Sequence, residues 1–409
     1  MNLTQKKCLL WAAWGLLTNL AIFWALWSRR RAPAPEAGPR LRLRLGPGPG
    51  PGPGGRPPGA FWKPECPLPS VWNREQAILA RGAGPPEAGE APVPAAGALL
   101  PPRQRCRPDT GVAGSFVDFQ HLPQQMKDFL LYRRCRAYPL VLEPRAPCRG
   151  RPGTPRLLLA IKSQASSFAR RQAIRQTWGS GQAGGRLLFL LGQQRGGPPD
   201  GHPDLRGLLR YESRRHGDLL QWAFRDTFFN LTLKEVLFLP WLVRRCPGAR
   251  FVFKGDDDVF VNTGRLLDYL AALGPGEARD LFLGDAILGA APARDPALKY
   301  YVPGAFYRGL YPPYAGGAGV LYSGRLARRL ARAARAVPLF PIDDVYTGMC
   351  LQRLGLAPTP HPGFRSFGIN ASDRWDPCAY QQLFMVHRRS PQEMVQLWRL
   401  LRQPNITCQ

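Results

Sequence analysis

The chain is 409 residues long and carries 56 Lys and Arg against 28 Asp and Glu, a formal net charge of +28, with Gly and Pro at 44 each. A hydrophobic content of 44% excludes a wholly disordered polymer, and the length allows at least one substantial core. The charge raises nucleic acid or an anionic membrane as partners, against the plainer reading of an Arg-, Gly- and Pro-rich composition spread along the chain.

Residues 8–27 (CLLWAAWGLLTNLAIFWALW) run without a charge. At about 1.5 Å per helical residue they suffice to cross a bilayer's hydrocarbon layer. Trp11, Trp14, Trp24 and Trp27 lie towards the ends of this run, where indole rings favour the interface. The run ends in Ser28-Arg29-Arg30-Arg31 and not in a small-x-small cleavage site, so it reads as an uncleaved signal-anchor. Lys6 and Lys7 flank one side and Arg29 to Arg31 the other, which by charge alone favours a cytosolic body. The sequons at Asn230, Asn370 and Asn405 oppose this, as do eight of nine cysteines falling after the anchor. The reading is a cytosolic tail at 1–7, an anchor at 8–27 and a lumenal body.

Residues 28–105 read as a Gly/Pro-rich, disordered stem, with Gly and Pro alternating from Gly46 to Gly54. Phe61-Trp62-Lys63 and Trp72-Asn73-Arg74-Glu75 interrupt it with aromatics that would dock back onto the body. The body, 106–409, alternates apolar runs with helical patterns. Strands are predicted at 156–162, 186–191, 218–224, 250–254, 281–284 and 318–322, and helices at 168–178, 231–245, 262–273, 324–336 and 343–354. This is the pattern of an α/β domain, a mainly parallel sheet with helices on both faces. Cys135 and Cys148, close together around a Pro-rich turn, are the predicted disulfide pair.

The sharpest chemical signal is Phe251-Val-Phe-Lys-Gly-Asp256-Asp257-Asp258-Val-Phe-Val261, an acidic triplet at the carboxyl end of an apolar strand. In open α/β sheets ligands gather there. Alternation along an extended segment lets Asp256 and Asp258 converge while Asp257 points elsewhere. Two hard oxygen donors suit Mg²⁺ or Mn²⁺ with a diphosphate, although an acidic turn before a helix has the same composition. A second pair, Asp343-Asp344, follows Pro341 and opens a helix. There one carboxylate can serve the helix terminus and the other a general base. Between them, Tyr311-Pro-Pro-Tyr314-Ala-Gly316-Gly317-Ala318-Gly319 offers glycines for close backbone approach and two tyrosines able to stack on sugars. No Gly-Lys-Ser/Thr follows, so this is not a phosphate loop. His387 ends an apolar run, and a lone histidine of that kind is ordinarily structural.

Several long motifs occur in order: Arg170-Arg171-Gln-Ala-Ile-Arg175-Gln-Thr-Trp178, Asp226-Thr-Phe-Phe-Asn230-Leu-Thr-Leu-Lys234-Glu, Phe253-Lys-Gly-Asp-Asp-Asp258-Val-Phe-Val-Asn262, and Tyr311-Pro-Pro-Tyr-Ala-Gly-Gly. With them the body resembles the β-1,3-glycosyltransferases of the Golgi. Lys299-Tyr300-Tyr301-Val-Pro303 and Ile342-Asp-Asp-Val-Tyr346-Thr-Gly-Met-Cys350 look most like the N-acetylglucosaminyltransferase branch. The resemblance implies a GT-A fold using UDP-N-acetylglucosamine and Mn²⁺ (or Mg²⁺), on a type II Golgi membrane protein. It implies galactose-terminated glycans of glycoproteins or glycolipids as acceptors and no nucleic acid, and it leaves association with itself or other Golgi transferases open. It assigns Asp258, Asp256 and His387 to the metal, and Asp344, with Asp343 competing, to the base. It also puts Lys162, Arg170, Arg171, Arg175, Asp256 and Asp257 around the nucleotide, and Tyr311, Tyr314, Gly316 and Gly317 around the acceptor. Ala318 departs from a usual glycine and puts acceptor preference in doubt, and Cys66 has no evident counterpart. A β-1,3-galactosyltransferase and a silent glycan-binding relative are the competing readings.

Overall fold

The computed structural model describes residues 70–82, 106–116, 118–144, 148, 157–180, 185–194, 203–403 and 408. All belong to one compact unit, Arg56–Gln409. The predicted anchor at 8–27, the Gly-Pro run, Cys66 and Asn405 lie outside the described residues. Among those described, no helix is long and apolar enough to cross a membrane.

The strands are β1 (Leu140–Leu142), β2 (Leu157–Lys162), β3 (Gly185–Gln193), β4 (Leu219–Arg225), β5 (Phe251–Asp256), β6 (Val259–Val261), β7 (Phe282–Gly284), β8 (Ala286–Ile287), β9 (Tyr314–Ala315), β10 (Gly319–Ser323), β11 (Thr359–Pro360), β12 (Phe364–Arg365) and β13 (Met385–His387). Eight of them form one sheet in the order β1-β4-β3-β2-β5-β10-β7-β11. β4, β3, β2 and β5 pair in parallel, as do β7 and β11. β1 and β10 run the other way, so the sheet is mixed with a parallel majority.

All six residues of β2 are buried, which is why LLLAIK reads as a continuous apolar run: helices cover both faces. The pleat divides it. Leu158 and Ala160 join a core with Trp72, Phe238, Trp241, Leu330 and Phe340, while Leu157, Leu159 and Ile161 join a second core with Ile174, Trp178, Phe253 and Met394. On the first face helix Leu231–Arg245 packs against helix Gly324–Ala336. On the second, helix Phe168–Gln176 packs against the terminal helix Pro391–Leu400. That last helix is absent from the predictions above. Its sequence carries a readable start, since Ser390 and Glu393 form a capping box and Pro391 occupies the first turn.

Two sequence expectations need correction. Cys135 does not pair with Cys148; the bridges are Cys106–Cys135, Cys148–Cys246 and Cys378–Cys408, with Cys350 a buried thiol. Leu131 O accepts the Asp109 N–H at 2.7 Å, which carries the segment after Cys106 alongside the end of helix Gln124–Tyr132, just before Cys135. Cys246 terminates helix Leu231–Arg245 and lies across from Cys148.

The predicted disordered stem also contains an ordered element, helix Val71–Gly82. Its Trp72 is fully buried against Tyr307 and Phe340, and the indole N–H donates to Pro338 O at 3.1 Å. Trp72 thus docks on the body as its composition suggested, and folded structure begins well before Cys106.

Candidate active site

The carboxyl ends of β2 and β5 lie side by side, with Lys162 opposite Asp256 in register. After Asp256 the chain turns at Asp257 and Asp258 and leaves as β6. β6 pairs antiparallel with β13, and Val259 faces His387 in that ladder. This small second sheet carries a histidine 129 positions downstream to the acidic turn, and its Nε2 lies 3.2 Å from Asp258 Oδ1. Ligand atoms of Asp256, Asp258 and His387 all fall within 4.8 Å of one another.

His387 Nδ1 lies 2.8 Å from Ser366 O. A carbonyl can only accept, so Nδ1 donates to it, which fixes the ring with Nε2 on the acidic side; with no cation bound, a protonated Nε2 donates to Asp258. Two carboxylates and an oriented imidazole are a donor set suited to a divalent cation. Burial works against the imidazolium, yet the bonds to Asp258 and Ser366 O prevail and raise the His387 pKa. Burial likewise opposes ionisation of Asp258, and the bond to His387 outweighs it, lowering its pKa.

Asp257 points the other way, as alternation requires. Its Oδ2 accepts from Ser163 Oγ at 2.7 Å and its Oδ1 from Arg170 at 2.8 Å. Arg170 is the exposed member of the four basic residues singled out by sequence, with 42% of its side chain accessible.

The other three are committed to partners within the protein. Arg171 is fully buried; it grips Glu212 through two nitrogens and donates also to Ser163 Oγ, Gln164 O and Ala165 O. All five guanidinium protons are used. Arg175 grips Asp218 at 2.7 and 2.8 Å and reaches Glu212 at 2.8 Å. The buried Lys162 ammonium spans Asp343 (2.8 Å), Asp256 (3.0 Å) and Gly317 O (3.2 Å). Burial disfavours its charge, but Asp256 and Asp343 hold its pKa well above the ordinary lysine value.

The pair opening helix Asp343–Arg353 is divided by its surroundings. Asp343 is buried, and although burial opposes its ionisation, Lys162 and Lys254 keep its pKa low. Asp344 is pushed up to about 7, by burial first and then by the neighbouring Asp343 charge. Its Oδ2 accepts the Gly317 N–H at 3.2 Å, and a carboxylate of raised pKa beside a glycine loop can take a proton from a bound hydroxyl.

The loop itself explains its glycines. A Cβ on Gly316 would lie 2.8 Å from Ser366 Oγ, so a side chain there would displace the segment that holds His387. Ala318 is buried and belongs to the same core cluster as Phe253 and Met385. Tyr311 is buried with ring centroids 5.6 Å from Tyr307 and 5.7 Å from Phe340, so it packs into the core. Tyr314 is half-buried and edge-on to Tyr311.

Sequence reasoning also passed over the polar ties beneath the site. Lys234 Nζ reaches Asp226 at 3.0 Å and Ser163 O at 2.7 Å, and Lys254 pairs with Glu235. The motif containing Lys234 and Glu235 was visible, but helical spacing alone gave no sign that both would be buried. Of the sequons, Asn370 is exposed and Asn230 half-buried, with its amide donating to Arg225 O.

Residues 169–362 match the family described as Galactosyltransferase. The chain is 50% identical over 362 residues to N-acetyllactosaminide beta-1,3-N-acetylglucosaminyltransferase 2 of Mus musculus, covering 86% of this chain and 89% of that protein. The protein of the same name from Homo sapiens is 50% identical over 364 residues, with the same coverage. Acetylgalactosaminyl-O-glycosyl-glycoprotein beta-1,3-N-acetylglucosaminyltransferase of Homo sapiens is 48% identical over 307 residues, covering 72% of this chain and 79% of that protein. A divided carboxylate pair, a metal-type triad and this extent of identity agree, and the chain is a transferase belonging to the galactosyltransferase family, among its β-1,3-N-acetylglucosaminyltransferases.

Proposed function

We propose that this transferase moves N-acetylglucosamine from UDP-N-acetylglucosamine onto the 3-hydroxyl of a terminal galactose in N-acetyllactosamine-type glycans, with inversion, on a GT-A-like domain. The division of the carboxylate pair carries the reading: Asp343 is held ionised by Lys162, while Asp344, beside Gly317, has the raised pKa of a working base. Asp344 takes the acceptor proton as that oxygen attacks the anomeric carbon. Asp256, Asp258 and His387 would hold a divalent cation, which supplies Lewis-acid neutralisation of the departing diphosphate. Arg170, tethered by Asp257 and still exposed, adds positive charge on the nucleotide side.

The names of the relatives support the donor and the linkage. The test offers the full chain UDP-N-acetylglucosamine and UDP-galactose in parallel, with lactose-type and N-acetyllactosamine acceptors, and determines the product linkage by NMR. A β-1,3-linked N-acetylglucosamine product is expected. Preferential galactose transfer would replace the reading with that of a galactosyltransferase, and no transfer with any donor would leave a glycan-binding relative. We also propose a type II arrangement in the Golgi, with residues 1–7 cytosolic, an anchor at 8–27 and a lumenal body. Three disulfides and an exposed Asn370 sequon support a lumenal body. Protease protection of the body in intact Golgi vesicles tests this, and digestion of the body without detergent would overturn it.

A further inference from the structure

Helix Gly324–Ala336 (GRLARRLARAARA) divides cleanly by side. Leu326, Ala327, Leu330, Ala331, Ala333 and Ala334 are buried, against helix Leu231–Arg245 and helix Asp343–Arg353. Arg325, Arg328, Arg329, Arg332 and Arg335 occupy the remaining arc, roughly 120° wide at 100° per residue. Arg325 and Arg329 turn to Asp280, at 3.9 and 2.8 Å. Among the described residues no carboxylate is paired with Arg328, Arg332 or Arg335, and the last two are exposed. The helix also ends in added positive charge. Arg136 donates to Ala334 O and Val337 O, satisfying terminal carbonyls with a third-party guanidinium.

The spacing sets the kind of ligand. Positions three and four apart lie about 5–6 Å from each other, and Arg328 and Arg335 are about 10 Å apart along the axis. Spread over about 10 Å of helix, three guanidinium groups match a row of anions carried on a linear polymer better than one small anion. A membrane fits poorly, because an interfacial helix inserts its apolar face, and here that face is spent inside the protein. Sulfate and carboxylate groups match the planar guanidinium fork. The helix starts at the end of β10 remote from the site and runs back towards it, reaching Asp343 seven residues after Ala336. A bound polymer would therefore lie along one flank of the body and lead towards the catalytic end of the sheet.

We propose that Arg328, Arg332 and Arg335 form a docking stripe for an anionic polysaccharide, a sugar chain bearing sulfate or carboxylate groups, separate from the transfer site. The stripe does not depend on which sugar that site transfers.

The experiment measures binding of the full chain to immobilised heparin, as the polyanion probe, across a range of salt concentrations. R328Q/R332Q/R335Q is compared with R210Q/R214Q/R215Q, which removes the same charge from exposed positions on helix Arg206–His216. The stripe variant should bind at least about tenfold more weakly near physiological salt, with a log–log salt slope smaller by about two to three. The control should stay within about twofold of the parent, and R332Q alone should show a partial loss in case the triple variant folds poorly. Transfer to a small neutral acceptor should be unchanged in all of them, so failure of the stripe is distinguishable from failure of the proposed reaction. Equal losses in stripe and control variants would overturn the proposal in favour of general charge. Stripe-dependent binding to phosphatidylserine vesicles or single-stranded DNA, with heparin binding intact, would overturn it in favour of those partners.

Discussion

At the scale of single residues, two neighbouring aspartates of the same sequence type do different work because one meets a buried ammonium and the other does not. Asp343 is neutralised by Lys162 and stays ionised, whereas Asp344 is raised to about 7 by burial and by Asp343. Asp344→Asn keeps an acceptor for the Gly317 N–H but cannot take a proton. It should lower kcat by about 10²–10⁴ while leaving calorimetric UDP affinity unchanged. A base must be ionised, so kcat/KM should rise with pH up to about 7 and fall about tenfold per unit below it. A pH–rate profile checks this, and the residual activity of Asp344→Asn should lack that limb. His387→Ala removes an oriented imidazole, and manganese affinity followed by paramagnetic resonance should fall by more than about tenfold. The acidic triplet and the alternation of its side chains were legible in sequence. The fate of the basic residues was not, because Arg170 and Arg171 are adjacent on one helix and only packing decides that one is exposed and the other fully buried.

At the scale of elements, the Arg171–Glu212 and Arg175–Asp218 pairs tie helix Phe168–Gln176 to helix Arg206–His216 and to the residue before β4. Removing one partner of such a buried pair strands a charge, so Glu212→Ala should cost about 3–5 kcal/mol in denaturant unfolding. The apolar pair Arg171→Met with Glu212→Leu should recover much of that loss. Burial alone would raise the Glu212 pKa, but the two arginines prevail and lower it below its ordinary 4.5. A lowered folded-state value stabilises above the unfolded one, so this contribution is complete above about pH 4.5 and disappears as pH falls through the folded value. Melting temperature followed downward from pH 7 should show a steeper acid decline in the parent than in the apolar pair. The disulfides belong to this scale too. Peptide mapping without reduction should find Cys106–Cys135, Cys148–Cys246 and Cys378–Cys408, and a Cys135–Cys148 peptide would contradict the fold. Proximity in sequence misled here because Cys135 ends one helix's turn and Cys148 faces the end of another, and the bridges join elements, not neighbours.

For the molecule as a whole, the body is completed from outside its apparent boundary. Trp72 fills the core between Tyr307 and Phe340, so Trp72→Ala should destabilise by about 3–5 kcal/mol, and a fragment beginning at Cys106 should unfold at lower denaturant than one beginning at Ser70. The sequence by itself determined the α/β class, the strands β2, β3, β5 and β10, five of the helices around them, and the acidic turn at the end of β5. Those follow from local periodicity and from residue types whose chemistry is short-ranged. Only the tertiary structure decided that β10 runs antiparallel between β5 and β7 and that β13 brings His387 to Asp258. It also decided that Lys162, Arg171 and Tyr311 belong to the interior. The reason is physical: pairing partners and burial depend on contacts between segments far apart in the chain, and no local pattern records which of two similar side chains will face the solvent.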